Sequence, residues 1–141
     1  MADPVVLDTD VASLAIKGRL DRSTLDLIGR TWCVSFVTVG ELVKWAETYR
    51  WGLRKWTDLA DWLDRAVILP YEAGVAYRWG QLAAAGRRRG RPRPANDMWI
   101  AACCLAGELP LATWNIKDHA DFVQHHGLRL AVGGLGRPTT R

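Results

Sequence analysis

The 141-residue chain reads as an α/β protein, a three-layer α/β/α sandwich around a central, mainly parallel sheet of four to five strands. Three observations predict this. Short runs of apolar, largely β-forming residues recur along the chain, beginning with Val5-Val6-Leu7. Segments with apolar residues at helical spacing lie between them. Strand and helix alternate, as they do where a parallel sheet is covered on both faces.

In order, residues 5–7 form a buried strand ending at Asp8, and Asp10 or Thr9 caps a helix over 11–16. A second amphipathic helix spans 22–28. Residues 32–37 are the next strand, after which Thr38-Val39-Gly40-Glu41 opens a helix with Leu42, Trp45, Ala46 and Tyr49 on its apolar face. A helix over 54–65 carries Trp56, Leu59, Ala60 and Leu63 on one side, and residues 67–69 before Pro70 form the third strand. A long helix runs from Glu72 to about Gly86, followed by a basic loop over 87–94. Two prolines and Asn96 then precede an apolar run, so Asn96 is positioned to cap a helix whose buried stripe is Ile100, Ala101, Cys104 and Leu105. Residues 109–114 read as a buried strand, 117–125 as a helix and 128–132 as a last strand. Residues 1–132 make one domain, and the Gly-, Pro- and Thr-rich stretch 133–141 is a flexible tail.

Composition narrows the function. With 49% hydrophobic and 24% charged residues, the chain is ordinary for a globular protein. No apolar run approaches a membrane span. Asp3 and Pro4 fall where a leader would begin, so a cytoplasmic location without membrane contact is expected. Cys33, Cys103 and Cys104 lack metal-type spacing and suit buried, reduced thiols. Of the 19 basic residues, only Lys17, Lys44, Lys55 and Lys117 are lysine. The arginine excess suits phosphate binding and base stacking, although GC-rich codon usage produces the same bias.

The acids carry the chemistry. In a parallel sheet, ligands gather beyond the carboxyl ends of the strands. Asp8 ends the first strand, Glu41 follows the second, Asp97 opens a helix on the inward face shared with Ile100 and Ala101, and Asn115 and Asp118 follow the fourth. Two carboxylates about 4 Å apart repel by roughly 4 kcal/mol at an effective dielectric near 20, so such a group takes up protons or a cation. Oxygen ligands without His or Cys favour a hard ion, Mg²⁺ or Mn²⁺. That is equipment for phosphodiester hydrolysis by an activated water, which leaves a 5′-phosphate and a 3′-hydroxyl.

Each residue also has a plainer role available. Asp8 and Asp10 are possible helix caps, Thr38-x-x-Glu41 fits a capping box, and Asp97 gains from a helix dipole. The arginines at 87, 88, 89, 91 and 93 are either a phosphate-binding strip or a solvated helix end. Trp32, Trp45, Trp56 and Trp62 suit the core or a partner surface, whereas Trp99 and Trp114 lie nearest the acids and are the candidates for contacting a nucleotide. His119, His125 and His126 show no ligand-like pairing and read as surface residues.

The ordered set Val5-Val6-Leu7-Asp8-Thr9, Val37-Thr38-Val39-Gly40-Glu41-Leu42, Asn96-Asp97-Met98-Trp99-Ile100-Ala101 and Ala112-Thr113-Trp114-Asn115 resembles the PIN domain, specifically the VapC-type toxin ribonucleases of bacterial toxin–antitoxin pairs. The resemblance runs from Val5 to Val132. It implies a dimeric, Mg²⁺-dependent endoribonuclease, with Mn²⁺ able to substitute. A cognate VapB-type antitoxin would hold it inactive, and tRNA or rRNA would be its substrate. It carries over Asp8, Glu41 and Asp97 as metal-binding and catalytic acids, with Asp118 a lesser fourth because Asn115 stands where many relatives have an acid. Thr9, Thr38, Asn96, Thr113 and Asn115 are supporting positions. Two alternatives belong to other classes. Asp8-Thr9-Asp10-Val11 also resembles the opening of haloacid-dehalogenase-like phosphotransferases, with Asp8 as nucleophile. The other is a non-catalytic RNA- or protein-binding module, suggested by Asn115.

Overall fold

A computed structural model describes residues 1–19 and 27–131. Among them the chain forms β1 (Val5–Leu7), α1 (Thr9–Ile16), β2 (Trp32–Ser35), α2 (Phe36–Thr48), α3 (Leu53–Arg65), β3 (Val67–Leu69), α4 (Ala73–Arg88), α5 (Ala95–Gly107), β4 (Leu111–Ala112) and α6 (Ile116–His126). The strands pair in the order β3-β2-β1-β4, all parallel. The helix expected over 22–28 falls largely outside the described residues, as does the tail at 133–141.

Period-two geometry divides the sheet's side chains between two cores. Val5, Leu7 and Val34 face α1, α2 and α3, where they meet Val11, Leu42, Ala46, Leu59 and Trp62. Val6, Cys33 and Leu111 face the other way, onto Val75, Leu82, Ile100, Ala101, Cys104 and Phe122 of α4, α5 and α6. Strands of two to four residues give little binding through their ladders alone, so burial on both faces holds the sheet together. The three cysteines are free and buried, and burial pushes the Cys103 thiol up to about 11.

Several element boundaries differ from the sequence expectation, and each difference has a local cause. β2 stops at Ser35 because the Ser35 side chain caps α2, its Oγ accepting from the Thr38 N–H at 3.2 Å. Thr38 is therefore the third helical residue, and the capping box Thr38-x-x-Glu41 does not form. Asp8, rather than Thr9 or Asp10, caps α1. Asn96 caps nothing: α5 starts from Pro94 without a side-chain cap and Asn96 is exposed. β4 is shorter than residues 109–114, since Pro110 has no N–H to donate and Thr113 turns inward. The expected strand at 128–132 reduces, among the described residues, to one parallel bridge between Leu111 and Leu130.

α4 runs on to Arg88, so Arg87 and Arg88 lie on its last turn rather than in a loop. The chain then reverses through Gly90, at φ +70°, and the Arg91 N–H returns to the Gly86 carbonyl at 2.8 Å. A Cβ on Gly86 would lie 3.1 Å from the Arg91 carbonyl oxygen, so the turn packs directly on that glycine. This fold sets the first turn of α5 beside the carboxyl ends of β1 and β4.

Candidate active site

Asp8 is the anchor. The β1 strand delivers it to the sheet edge 5% exposed, and a buried carboxylate there needs donors. It has three. Oδ1 accepts from the Thr9 N–H at 2.9 Å, and Oδ2 accepts from Thr113 Oγ1 at 2.7 Å and His119 Nε2 at 3.2 Å. Burial would raise its pKa, but the His119 hydrogen bond and charge, with the Thr113 and Thr9 donors, bring it below the usual carboxylate value. Asp8 is therefore ionised at neutral pH.

Glu41 is tied to the same place through hydroxyls. Thr9 Oγ1 donates to Glu41 Oε1 at 2.7 Å and lies 3.0 Å from the buried Thr38 Oγ1, which is itself 3.4 Å from Ser35 Oγ. With Thr9 donating to the carboxylate, Thr38 donates to Thr9. Ser35, Thr38 and Thr9 thus form a directed chain ending on Glu41.

Asp97 sits half-buried in the first turn of α5. Burial raises its pKa; His119 opposes this, while the charges of Asp8, Asp118 and Glu41 add to it. Four acids from four parts of the chain thus act on one locus, although Asp118 is exposed on α6 and is the outermost. Asn115 directs its backbone N–H to Thr113 Oγ1 at 3.0 Å, which orients the hydroxyl that serves Asp8. Among the described residues, no three His, Cys, Asp or Glu side chains are gathered closely enough to enclose an ion by themselves. Mutual repulsion keeps carboxylates apart, and a hard cation of the Mg²⁺ class completes its shell with waters. The all-oxygen donor set and the accumulated negative charge fit such a cation.

Two neighbours have roles that the sequence reading missed. His119 is not a surface residue: it is fully buried, packs 5.8 Å from Phe122 and donates to Asp8. Burial lowers its pKa, but the hydrogen bond to Asp8 and the charges of Asp8, Asp97 and Asp10 outweigh that and raise it. Its i,i+3 spacing to Phe122 on an amphipathic helix was the available signal. Asp10 accepts the Val11 N–H at 2.8 Å on Oδ1 and the Trp114 N–H at 3.1 Å on Oδ2, clipping α1 to the segment after β4. Burial and the charge of Asp8 push it up to about 6.

The nucleotide-binding candidates divide. Trp114 is 8% exposed in the core on the α1–α3 side of the sheet, so its ring is not available for stacking on a base. Trp99 is half-buried among Phe36, Tyr71 and Trp79, stacked on Trp79 at 5.1 Å. Arg89 bonds Asp121 at 2.9 Å, which removes it from the free strip. Arg87, Arg88 and Arg91 are exposed, and Arg93 is partly buried. Of the four tryptophans assigned to core or partner surfaces, Trp62 is buried and leans on Trp32, whereas Trp45 is exposed. Among the described residues, no helix is long and apolar enough to cross a membrane.

The phosphotransferase alternative does not survive this geometry. Both Asp8 oxygens carry donors, and both Asp10 oxygens hold backbone N–H groups. Asp10, which would be the acid two residues after the nucleophile, is therefore not free to act.

Comparison with known proteins agrees with the geometry. Residues 5–121 match the PIN domain model. The chain is 30% identical over 126 residues to the tRNA(fMet)-specific endonuclease VapC of Shigella flexneri, covering 88% of this chain and 93% of that one. The fold matches the DNA-bound VapBC of Salmonella typhimurium at TM-score 0.72 and 28% identity, covering 92% of this chain and 97% of the other. It also matches VapBC2 of Rickettsia felis at TM-score 0.76 and 24% identity, covering 90% and 96%. With a parallel sheet that delivers its acids to one edge, and a family match over most of its length, the chain belongs to the PIN-domain family, among the VapC-type ribonucleases.

Proposed function

We propose that this chain is the toxin of a toxin–antitoxin pair and hydrolyses RNA phosphodiester bonds with Mg²⁺, Mn²⁺ substituting. Asp8, Glu41 and Asp97 would hold the metal, with Asp118 assisting from the rim. The single observation that carries this reading is the link between two acids of different elements through Thr9, whose N–H bonds Asp8 at 2.9 Å and whose hydroxyl bonds Glu41 at 2.7 Å, with Asp97 near enough to feel both charges. When bound, the ion would supply an acidified water and neutralise charge on the scissile phosphate.

The protein's own residues do the positioning. Asp8 is kept ionised by its three donors, and Thr9 fixes one oxygen of Glu41. Arg87, Arg88 and Arg91, with Arg93, lie just before α5 and would take RNA phosphates on the approach to Asp97. The substrate is RNA: the Shigella flexneri relative is a tRNA(fMet)-specific endonuclease, which makes tRNA the first to test. A VapB-type antitoxin is the partner, as in the VapBC complexes that share the fold; a homodimer in the cytoplasm is the assembly that the family resemblance implies. Residues 1–132 act as one nuclease domain.

Asp97→Asn tests the site. The variant should melt within a few degrees of the parent, while Mg²⁺ binding and cleavage of a tRNA pool fall by two or more orders of magnitude. RNA ends should carry 5′-phosphate and 3′-hydroxyl. Parent-like cleavage by Asp97→Asn, or 2′,3′-cyclic phosphate ends, would overturn the assignment.

A further inference from the structure

Asp8 is held on one side by a residue outside the family-like set of acids and hydroxyls. We propose that His119 is a positioning residue for the metal site, its Nε2–H closing the Oδ2 side of Asp8 so that Oδ1 alone is left to face a cation. This rests on the reading of Asp8 as a metal ligand.

The lone pairs of Asp8 make the case. An ionised carboxylate offers about four acceptor positions, two on each oxygen. Thr113 and His119 take both positions on Oδ2, and the Thr9 N–H takes one on Oδ1. One position remains, on Oδ1. Without His119, Oδ2 would regain a free position, and the carboxylate could rotate or present both oxygens to an ion. With it, Asp8 is restricted to single-oxygen contact in a fixed orientation. Metal-binding carboxylates characteristically carry such outer hydrogen bonds, and losing one costs about ten- to a hundred-fold in metal affinity or activity.

The burial of His119 argues against a role in packing alone. The ring is fully buried, where an apolar side chain would satisfy every neighbour except Asp8 and leave no polar atoms of its own to match. Its Nδ1 has no hydrogen-bond partner, so the contact with Asp8 is what the imidazole contributes. The hydrogen on Nε2 is present in the imidazolium and in the neutral tautomer that keeps it. The positioning contact is therefore independent of the charge on the ring. Phe122, one helical turn further on, holds the ring in place at a 5.8 Å centroid distance. Asp118 and His119 are adjacent on α6, one exposed and one buried, so the same turn of helix serves the rim and the floor of the site.

The test is Mn²⁺ binding by titration calorimetry at fixed pH, on the full chain, with thermal melting alongside. H119F removes the donor and keeps a flat ring. H119Q returns an amide N–H near the place of Nε2. H119F should bind Mn²⁺ about ten-fold or more weakly, and H119Q should recover most of that loss, at melting temperatures that do not track the affinities. Unchanged or tighter binding by H119F would overturn the proposal, as would H119Q binding no better than H119F. If H119F shows no cooperative melt, H119M serves as the donor-free variant against H119Q. D8N separates the two levels of inference. Loss of binding in D8N with H119F intact removes only the role of His119, whereas parent-like binding by D8N removes the metal reading and this proposal together.

Discussion

Thr9→Val removes one hydroxyl from the site and keeps the side chain's shape, so its cost can be worked from the contacts. The hydroxyl donates to Glu41 Oε1 at 2.7 Å and accepts from Thr38 Oγ1, 3.0 Å away and fully buried. A hydrogen bond to a charged group contributes about 1.5–3 kcal/mol, and the lower end applies because Glu41 is only partly buried. The buried Thr38 hydroxyl also loses its acceptor, and Ser35 Oγ offers no replacement because it already donates to Thr38 at 3.4 Å. The net expectation is about 2 kcal/mol, or roughly 4–8 °C in melting temperature for a chain of this size. Glu41 also loses its fixed orientation, so Mn²⁺ affinity should fall by about ten-fold. Thr9→Ser, which keeps the hydroxyl, should restore both. Scanning calorimetry in chelator and titration calorimetry with Mn²⁺ read the two effects separately. A Thr9→Val protein melting within about 1 °C of the parent, with parent affinity, would refute the hydroxyl chain as the support for Glu41.

Asp10 gives a pH dependence with a definite sign. Its folded pKa of about 6 lies above the ordinary 3.8, so the folded state binds the proton more tightly. The stabilisation is full below the unfolded value and is lost as pH rises through about 6. In chelator, the parent should therefore lose about 1 kcal/mol more than Asp10→Asn between pH 5 and 7, read as a divergence of melting temperatures of about 2–4 °C. Parallel melting curves for the two proteins would exclude the assigned repulsion. Arg91→Ala should weaken RNA binding evenly across sequences. It should also reduce the slope of log affinity against log salt by about 0.7 on single-stranded RNA; an unchanged slope in filter binding would remove Arg91 from the phosphate path.

The end of β4 was obscured because its apolar run continues past Thr113 to Trp114, whereas the strand stops at Ala112. The end of β1 was legible because its apolar run stops abruptly at Asp8, and a parallel sheet sends that residue to one edge. Asp97 was legible for a related reason, an acid at the opening of a strongly apolar helix. The start of α2 was not, because Phe36 and Val37 are good strand formers and extend the run from β2. Only the Ser35 side chain, bonded to the Thr38 N–H, shows that the chain has already turned. Asn96 failed as a cap for the opposite reason: its type is right, but Pro94 places the helix start two residues earlier.

His119 and Trp114 show what spacing cannot convey. Lack of ligand-like pairing puts the histidine outward and nearness to the acids puts the tryptophan on the ligand, and the fold reverses both. The Trp114 N–H is taken by Asp10 and its ring lies in the core. That contact orders the segment carrying Thr113, which in turn reaches Asp8, as does His119 from the following helix. Asp10 thus acts on the site through the backbone, and His119 acts on it through a side chain more than a hundred residues away in sequence. Asp8 and Asp97 can be picked out one at a time, since the one ends a strand and the other opens a helix. The groups that hold them carry no such mark, and they become visible only when the lone pairs of the acids are counted in three dimensions.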